Sequence, residues 1–186
     1  MTERESRLAG YRKRRDEFFA RHPHSPLSEE QQERFQGLDY FPEREDLALV
    51  LELDESGEGT GEEVVLETTD GERRPFTRAG VVRLEVDGAP VTLSVLRDAS
   101  GSLFLPFRDA SAGAETYEIG RYLEPQARPD GLLHVDFNYA YNPFCAYGEG
   151  WSCPKPPVEN HLDVTIPAGE RRFRLPGEEA EADALA

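Results

Sequence analysis

The chain has 186 residues, of which 38% are hydrophobic and 10% aromatic, enough to build the core of a folded domain. No apolar run approaches the roughly 20 residues of a membrane-spanning helix, so the sequence predicts no membrane partner. The 37 acidic and 21 basic residues give a net charge of −16, which argues against nucleic acid as a partner, because phosphate binding needs a basic patch.

The types of charged residue indicate the salt conditions in which the protein works. Nineteen of the basic residues are Arg and only two are Lys, and the acidic residues are spread along the whole chain. Concentrated salt screens the self-repulsion of such a surface, so we interpret the acidity as that of a halophilic protein, rather than as a surface for a basic partner. The N-terminal segment is charged and lacks the apolar stretch of a secretory signal, and we therefore expect a cytoplasmic location.

The first part of the chain has the pattern of two helices. Between residues 3 and 20, apolar side chains recur at steps of three and four, which predicts an amphipathic helix. A second, short helix should begin after Ser28, because Ser28 and Gln31 have the spacing of a capping box. We expect these helices to form an N-terminal arm over residues 1–37.

From residue 47 onward, apolar and polar residues alternate with the period of β-strands. Asp-Gly turns separate several of these stretches and imply antiparallel neighbours. The predicted strands lie at residues 47–53, 64–69, 73–77, 82–86, 91–95, 103–107, 116–123, 133–137, 162–166 and 173–175.

The sequence therefore predicts a mostly β fold, an antiparallel barrel or curled sandwich of about eight to ten strands with two N-terminal helices. Residues 1–176 should form a single domain, in which residues 45–176 make up the β domain. Residues 177–186 have the composition of a disordered acidic tail.

The most distinctive segment runs from Asp136 to Asn160 and reads DFNYAYNPFCAYGEGWSCPKPPVEN. It holds both cysteines, the only tryptophan, four of the fourteen prolines and three of the seven tyrosines. Prolines restrict the backbone and aromatic side chains pack, so this composition predicts a rigid loop instead of a helix or strand. We expect residues 138–160 to cap one end of the β domain and to carry the functional site, because function concentrates on such loops.

Together with the sequence IPAGE at residues 166–170, this segment resembles the signature of the bacterial and archaeal family catalogued as domain of unknown function 1684. Further stretches fit the same family: SPL at 25–27, FQGLDYFP at 35–42, LPFRD at 105–109, ETY at 115–117 and GRYL at 120–123. The resemblance covers roughly residues 8–173 and implies no reaction or cofactor, since the family has no assigned activity. It implies that Arg121 is a family position, whereas His134 and His161 are not.

Several interpretations of the two cysteines remain open. With His161 they have the spacing C-x7-C-x7-H, and Cys145, Cys153 and His161 form an irregular candidate zinc site, although paired zinc ligands usually have only about two to four residues between them. A disulfide is geometrically feasible but unusual in a cytoplasm. Two small thiols that pack the loop are the plainest interpretation. A nucleophilic cysteine is less favoured, because the sequence neighbours are aromatic residues and prolines instead of basic residues.

The leading functional hypothesis is a small-molecule pocket under the loop 138–160. Asp136 and Asn138 share one face of the strand 133–137, because its apolar residues occupy the alternate positions. Arg121 has a planar guanidinium that suits either an anionic ligand or, as we favour, a buried ion pair with a carboxylate such as Asp136 or Glu159. The candidate ligand-binding residues are Arg121, Asp136, Asn138, Tyr141 and Glu159.

The reaction, if there is one, stays open. A carboxylate that acts as acid or base would suit hydrolysis or isomerisation. The chain has no nucleophile elbow, phosphate loop, dinucleotide fingerprint or His-Glu-x-x-His motif, so no cofactor is indicated. The alternative to a ligand pocket is a non-enzymatic interaction or scaffold domain, in which the loop forms a partner surface.

Overall fold

The computed structural model describes residues 3–177, with side chains from residue 7 onward. The predicted acidic tail, residues 177–186, therefore lies outside the described residues except for its first position. Two helices come first, α1 (Glu3–Arg21) and α2 (Glu29–Arg34). Eight strands follow within this part of the chain: β1 (Ala48–Leu51), β2 (Glu63–Glu67), β3 (Arg73–Val86), β4 (Ala89–Arg97), β5 (Leu103–Phe107), β6 (Arg121–Leu123), β7 (Gln126–Ala127) and β8 (Leu133–Asp136).

The strands form two antiparallel sheets. The larger sheet has the order β2-β3-β4-β5-β6 and curls into a half-barrel, and the smaller one has the order β1-β8-β7. The prediction of a mostly β, antiparallel fold with two N-terminal helices is confirmed. Aliphatic and aromatic side chains of both sheets and of the turns next to β1 and β8 form one buried core: Leu47, Val82, Val86, Val91, Leu93, Val95, Leu105, Phe107, Leu133, Val135 and Phe137.

The capping box of the short helix is confirmed in detail. The Gln31 N–H donates to the Ser28 hydroxyl oxygen at 3.2 Å, and the Ser28 N–H donates to the Gln31 side-chain oxygen at 2.8 Å. Two N–H groups that lack helical partners are thereby satisfied, which fixes where α2 begins.

Strand β3 joins two predicted strands, 73–77 and 82–86, into one strand of 14 residues. The register against β4 shifts between Arg78 and Gly80, which marks a β-bulge. Gly80 has a φ of +152°, and a Cβ there would lie 2.6 Å from the carbonyl oxygen of Asp54. The bulge thus admits the backbone of Asp54, which pairs with Val81 just beyond the end of β1.

Three strand predictions near the C-terminus of the domain are wrong or too long. Residues 162–166 and 173–175 are irregular, and the predicted strand 116–123 shortens to Arg121–Leu123. At residues 166–170, three carbonyl oxygens accept hydrogen bonds from the Arg121 side chain instead of from a neighbouring strand. Leu162 and Val164 make single backbone hydrogen bonds to Arg108 and Ala110, so their alternation reflects packing against the core and not a strand.

Residues 138–160 first run along the edge of the larger sheet. Tyr141 forms an antiparallel bridge with Tyr122 of β6, with N–H···O distances of 2.9 and 3.0 Å. Because β6 is the last strand of its sheet, this bridge satisfies backbone groups that an edge strand would otherwise leave unpaired.

The same segment then crosses to the outer face of the larger sheet. Tyr147 packs against Phe19 of α1, with ring centroids 4.6 Å apart. Further on, the Asn160 side chain accepts from the Ser94 N–H at 2.7 Å and donates to the Ser94 carbonyl at 2.9 Å. Ser94 faces away from the inward-facing Leu93 and Val95 of β4, so the segment expected to cap one end covers an edge and an outer face.

Candidate functional site

A cleft of about 390 Å³ lies where α1 passes over the small sheet and the start of the segment 138–160. Helix α1 contributes Arg7 and Tyr11, which lie on one face because they are four residues apart. The Tyr11 and Tyr139 rings pack edge to face, with ring centroids 4.8 Å apart and an interplanar angle of 60°. One wall of the cleft is therefore aromatic and held by ring packing.

The floor of the cleft comes from β8 and β7. His134 and Asp136 alternate with buried apolar residues on β8 and so point to the same side, and Gln126 lies opposite His134 in the sheet. Asp136 is only 4% exposed. One of its oxygens accepts from the Asn138 backbone N–H at 3.0 Å and from the Asn138 side-chain amide at 2.8 Å. The carboxylate thus holds the turn that begins the segment 138–160 and also borders the cleft.

The far side of the cleft is a Tyr–Glu pair. The Tyr141 hydroxyl donates to the Glu124 carboxylate at 2.7 Å. Burial raises the pKa of Tyr141, and the negative charge of Glu124 adds to this effect, so the phenol stays protonated and remains a donor. The Arg15 guanidinium lies 5.3 Å from the centre of the Tyr141 ring.

The lining combines acceptors, donors and flat apolar surfaces. Glu124 and Asp136 supply carboxylate oxygens, Arg7 and the tyrosines supply donors, and His134 is able to serve as either. Among the described residues that line the cleft there is no Ser, Thr, Cys or Lys. The carboxylates, His134 and the tyrosines are able to bind a ligand and to transfer protons.

A larger cavity of about 880 Å³ lies beside the C-terminal stretch of the described chain and reaches Gly177, the last described residue. Its Arg171 already makes ion contacts with Asp39 at 3.5 Å and with Glu115 at 3.3 Å. We therefore centre the functional argument on the cleft at α1.

Two of the five predicted site residues, Asp136 and Tyr141, line that cleft. Asn138 is completely buried beneath it, where its amide accepts from the Arg44 N–H and donates to the Arg44 carbonyl, both at 2.8 Å. Glu159 lies on the outer face of the larger sheet and pairs with Arg78 at 2.7 Å. The structure thus separates residues that the sequence grouped together.

Arg121 is a buried structural cation, only 1% exposed. The predicted ion pair exists, but its partner is Asp109, at 3.1 Å, instead of Asp136 or Glu159. The guanidinium also donates to the carbonyls of Ile166 at 2.9 Å, Ala168 at 2.6 Å and Glu170 at 3.1 Å. Burial lowers the pKa of Arg121, and the charge of Asp109 opposes that effect. The side chain therefore fastens residues 166–170 to β6 and does not border the cleft.

A second buried ion pair escaped the sequence analysis. The Glu170 carboxylate, 1% exposed, accepts from Arg15 at 2.9 Å and from the Tyr147 hydroxyl. Burial raises the pKa of Glu170, and Arg15 opposes the rise. Burial alone would lower the pKa of Arg15, but Glu170 together with Tyr11, Tyr147 and Tyr40 outweighs burial, and the pKa is raised. The IPAGE sequence contained Glu170, yet nothing in its spacing pointed to a helix residue 155 positions away.

Cys145 and Cys153 are both free cysteines, the first half-buried and the second buried. The ring nitrogen of His161 lies 3.2 Å from the Pro156 carbonyl oxygen. Within residues 3–177, no group of three or more His, Cys, Asp and Glu side chains is placed to hold a metal ion. The alternative of a zinc site at Cys145, Cys153 and His161 therefore lacks the required ligand cluster and is withdrawn.

Comparison with known proteins agrees with this picture of a mostly β protein of unassigned activity. The pattern of the family described as "Protein of unknown function (DUF1684)" matches residues 33–171, and the chain belongs to this family. It is similar to an uncharacterized protein of Haloarcula marismortui whose structure was solved by solution NMR, with 37% sequence identity and a TM-score of 0.66. That match covers 90% of this chain and 93% of the other.

No curated protein matches the chain. Within the described residues, no helix combines the length and the apolar character that crossing a membrane requires.

Proposed function

We propose that the protein binds a small polar organic molecule in the cleft between α1 and β8. The observation that carries the proposal is the convergence of the Tyr141–Glu124 pair, Asp136 and the Tyr11–Tyr139 wall around one cavity. Its volume of about 390 Å³ lies within the range of roughly 300–1,000 Å³ that ligand pockets occupy. The segment 138–160 contributes Tyr139 and Tyr141, so the pocket lies at the start of that segment.

The charges of the cleft favour a ligand with hydrogen-bond donors. Glu124 and Asp136 present carboxylate oxygens, and the Tyr141 hydroxyl already donates a hydrogen bond to Glu124. A hydroxyl or amine of a ligand would donate to the Glu124 carboxylate, and its apolar part would lie against the rings of Tyr11 and Tyr139. Binding is the function proposed, because the lining places hydrogen-bonding groups beside aromatic rings around one cavity.

The test is a thermal-shift screen of small amines, polyols and amino acids, followed by calorimetry on each compound that raises the Tm. The variants Glu124→Gln and Tyr141→Phe should weaken binding about tenfold or more, since a hydrogen bond to a charged group contributes about 1.5–3 kcal/mol. Asp130→Asn is the matched control, because Asp130 pairs with Arg128 in the turn between β7 and β8 and does not line the cleft. Equal affinities in all three variants, or no shift from any compound, would refute the proposal.

The interaction-domain alternative makes the opposite prediction. In that case no compound of the panel binds, and Glu124→Gln leaves the capture of a protein partner unchanged. A comparison of the wild type with Glu124→Gln therefore distinguishes the two functions.

We also propose that the protein works in a salt-rich cytoplasm. The proposal is supported by the net charge of −16 and by the presence of only two Lys beside nineteen Arg. The same charge is the reason why nucleic acid is not proposed as a partner.

A further inference from the structure

Strand β2 is one edge of the larger sheet, and the first half of this edge has open backbone groups. The Arg78 N–H donates to the Glu62 carbonyl at 2.9 Å, and Pro75, which lies opposite Val65, has no N–H to donate. Hydrogen-bonded pairs recur at every second residue of an antiparallel ladder, so the even-numbered residues of β2 direct their backbone groups to β3. Glu63 and Val65 direct theirs away from the sheet, and no backbone group in the part of the chain that the structure describes pairs with them there.

The second half of the same edge is already paired. Thr68 forms an antiparallel bridge with Pro154, and the Lys155 N–H donates to the Glu67 carbonyl at 2.8 Å. Pro156 has no N–H to continue this ladder, and the residues after it leave the edge for the outer face of the sheet. The edge thus accepts an antiparallel neighbour, and that neighbour ends before the first half of β2.

A groove of about 570 Å³ lies between β2 and the residues that leave it. Val64 and Leu66 of β2 line one side, and Pro156, Pro157 and Val158 line the other. Val158 is 80% exposed, so its side chain is open to further contact. Open backbone groups beside pockets for alternate side chains are the two features by which a sheet edge binds an extended peptide.

The charges of the edge indicate which kind of strand fits. Glu67 pairs with Lys155 at 2.6 Å, whereas Glu63 has no cationic partner among the residues that the structure describes. A second copy of this chain fits poorly, because antiparallel pairing about Val65 would place Glu63 of one copy opposite Glu67 of the other, and like charges directly opposite are destabilising. A strand with Lys or Arg opposite Glu63 forms an attractive pair instead.

We propose that β2 binds an extended segment of a partner protein as a sixth strand of the larger sheet, and that this segment alternates basic and apolar side chains. Side chains beside Val64 and Leu66 point toward the groove and are apolar, and those beside Glu63 point to the opposite face and are basic. This surface is separate from the ligand cleft at α1, and neither proposal depends on the other.

The experiment is an NMR titration of the full-length, ¹⁵N-labelled protein at about 0.1 M potassium chloride, where charges within about 10 Å still interact. The probe is a short peptide of alternating Val and Lys, and its control has Glu in place of Lys. In the free protein the amides of Glu63 and Val65 should exchange with solvent faster than those of Val64 and Leu66. The basic peptide should shift the signals of these two open amides and slow their exchange, and the acidic peptide should bind more weakly.

The variants separate the backbone, groove and charge contributions. Val65→Pro removes an N–H that points away from β3, so the sheet keeps its own hydrogen bonds and peptide binding should weaken about two- to tenfold. Val158→Ser should weaken binding about threefold or more by removing exposed apolar surface of the groove, and folding does not depend on this side chain. Glu63→Lys should lower the preference for the basic over the acidic peptide about threefold or more. Glu72→Lys makes the same charge change in the turn after β2, outside the groove, and should leave the preference unchanged.

Three results would overturn the proposal. The first is a folded wild type in which neither peptide, up to about 1 mM, changes the amide signals of residues 63–67. The second is an equal loss of preference in Glu63→Lys and Glu72→Lys. The third is a free protein that dimerises with the Val65 amide already protected and becomes monomeric in Val65→Pro, because a second copy is then the occupant. Glu124→Gln should leave peptide binding unchanged, so failure of the cleft proposal and failure of this one are distinguishable.

Discussion

Replacing Arg121 by Ala should lower the free energy of unfolding by about 3–5 kcal/mol, the range seen when one partner of a buried ion pair is removed. The guanidinium is 1% exposed and donates to Asp109 and to three carbonyl oxygens of residues 166–170. Truncation leaves Asp109, whose side chain is also 1% exposed, without its counter-charge. Asp109 keeps the Ile166 N–H at 2.7 Å and the Ser111 hydroxyl at 2.8 Å, which limits the loss.

The individual costs do not add. Each buried acceptor left without a donor costs about 1–3 kcal/mol, but the chain relaxes around the vacated volume and the sum overshoots. A loss of 3–5 kcal/mol is a large share of the roughly 5–15 kcal/mol that holds a typical domain together. For a chain of this size it corresponds to a fall in Tm of roughly 6–20 °C.

The assay is urea unfolding followed by the fluorescence of Trp151 and by circular dichroism, with linear extrapolation to water. The control is Arg128→Ala, which removes an exposed pair with Asp130 and should change the free energy by less than about 1 kcal/mol. If Arg121→Ala does not fold, the double variant Arg121→Met with Asp109→Leu should recover a folded protein, because both charges are then gone. A loss for Arg121→Ala no larger than that of the control would refute the structural role.

Three further outcomes are expected. Gly169→Ala should lower the free energy of unfolding by at least about 2 kcal/mol, because Gly169 has a φ of +78° and a Cβ there would lie 2.6 Å from the Ala140 carbonyl oxygen. The control Gly131→Ala, at φ +83° with open space around it, should lower it by only about 1 kcal/mol in the same urea assay. Equal losses in the two variants would contradict the argument. Under reducing conditions, the free energy of unfolding should rise from pH 6 to pH 9 relative to Cys153→Ala. The hydrogen bond from Cys145 and the other donors lower the pKa of Cys153 in the folded state to about 6, from its ordinary value near 9, so the folded chain binds fewer protons than the unfolded chain in this range. Parallel pH curves for the two proteins would exclude this. The Tm should rise between about 0.1 M and about 1 M potassium chloride, because the Debye length falls from about 10 Å to about 3 Å and the net charge of −16 is screened. A constant or falling Tm would contradict the proposed salt adaptation.

The features predicted most accurately are those that a few neighbouring residues determine, such as helix caps and tight turns. The capping box of Ser28 and Gln31 is local, and the structure contains both of its hydrogen bonds. The turn at Asp87 and Gly88 connects β3 and β4 as expected, with φ values of 50° and 84° at its two residues. Such positions depend on three or four neighbouring residues, so one sequence contains the whole signal. The division into a helical arm and a β domain stays a prediction.

The candidate site was only partly predictable, because it is assembled by tertiary contacts. Asp136 and Tyr141 stood out through the composition of their own segment, and both line the cleft. Tyr11 and Glu124 reach the same cleft from α1 and from the end of β6, and no spacing in the chain relates them. The sequence suggested Asp136 or Glu159 as the partner of Arg121, whereas the structure shows Asp109. No local pattern in the sequence distinguishes these carboxylates, because only the tertiary fold decides which one lies next to Arg121.

The cysteines illustrate the same limit. Their sequence neighbours are aromatic residues and prolines, which predicted inert thiols. The pKa of Cys153 is lowered by the Cys145 thiol, by the backbone N–H groups of Cys145 and Phe144, and by Arg74 on β3. These groups become its neighbours only when the segment folds back.

The contact between Arg15 and Glu170 bears on how the protein is best trimmed for laboratory work. The stretch that matches the family spans residues 33–171 and so keeps Glu170 but omits all of α1. A fragment cut at those limits would retain a fully enclosed carboxylate and discard the cation that neutralises it, together with the Phe19 ring that rests on Tyr147. A protein made for laboratory work should therefore include α1, because Arg15 of this helix supplies the positive charge that pairs with the buried Glu170.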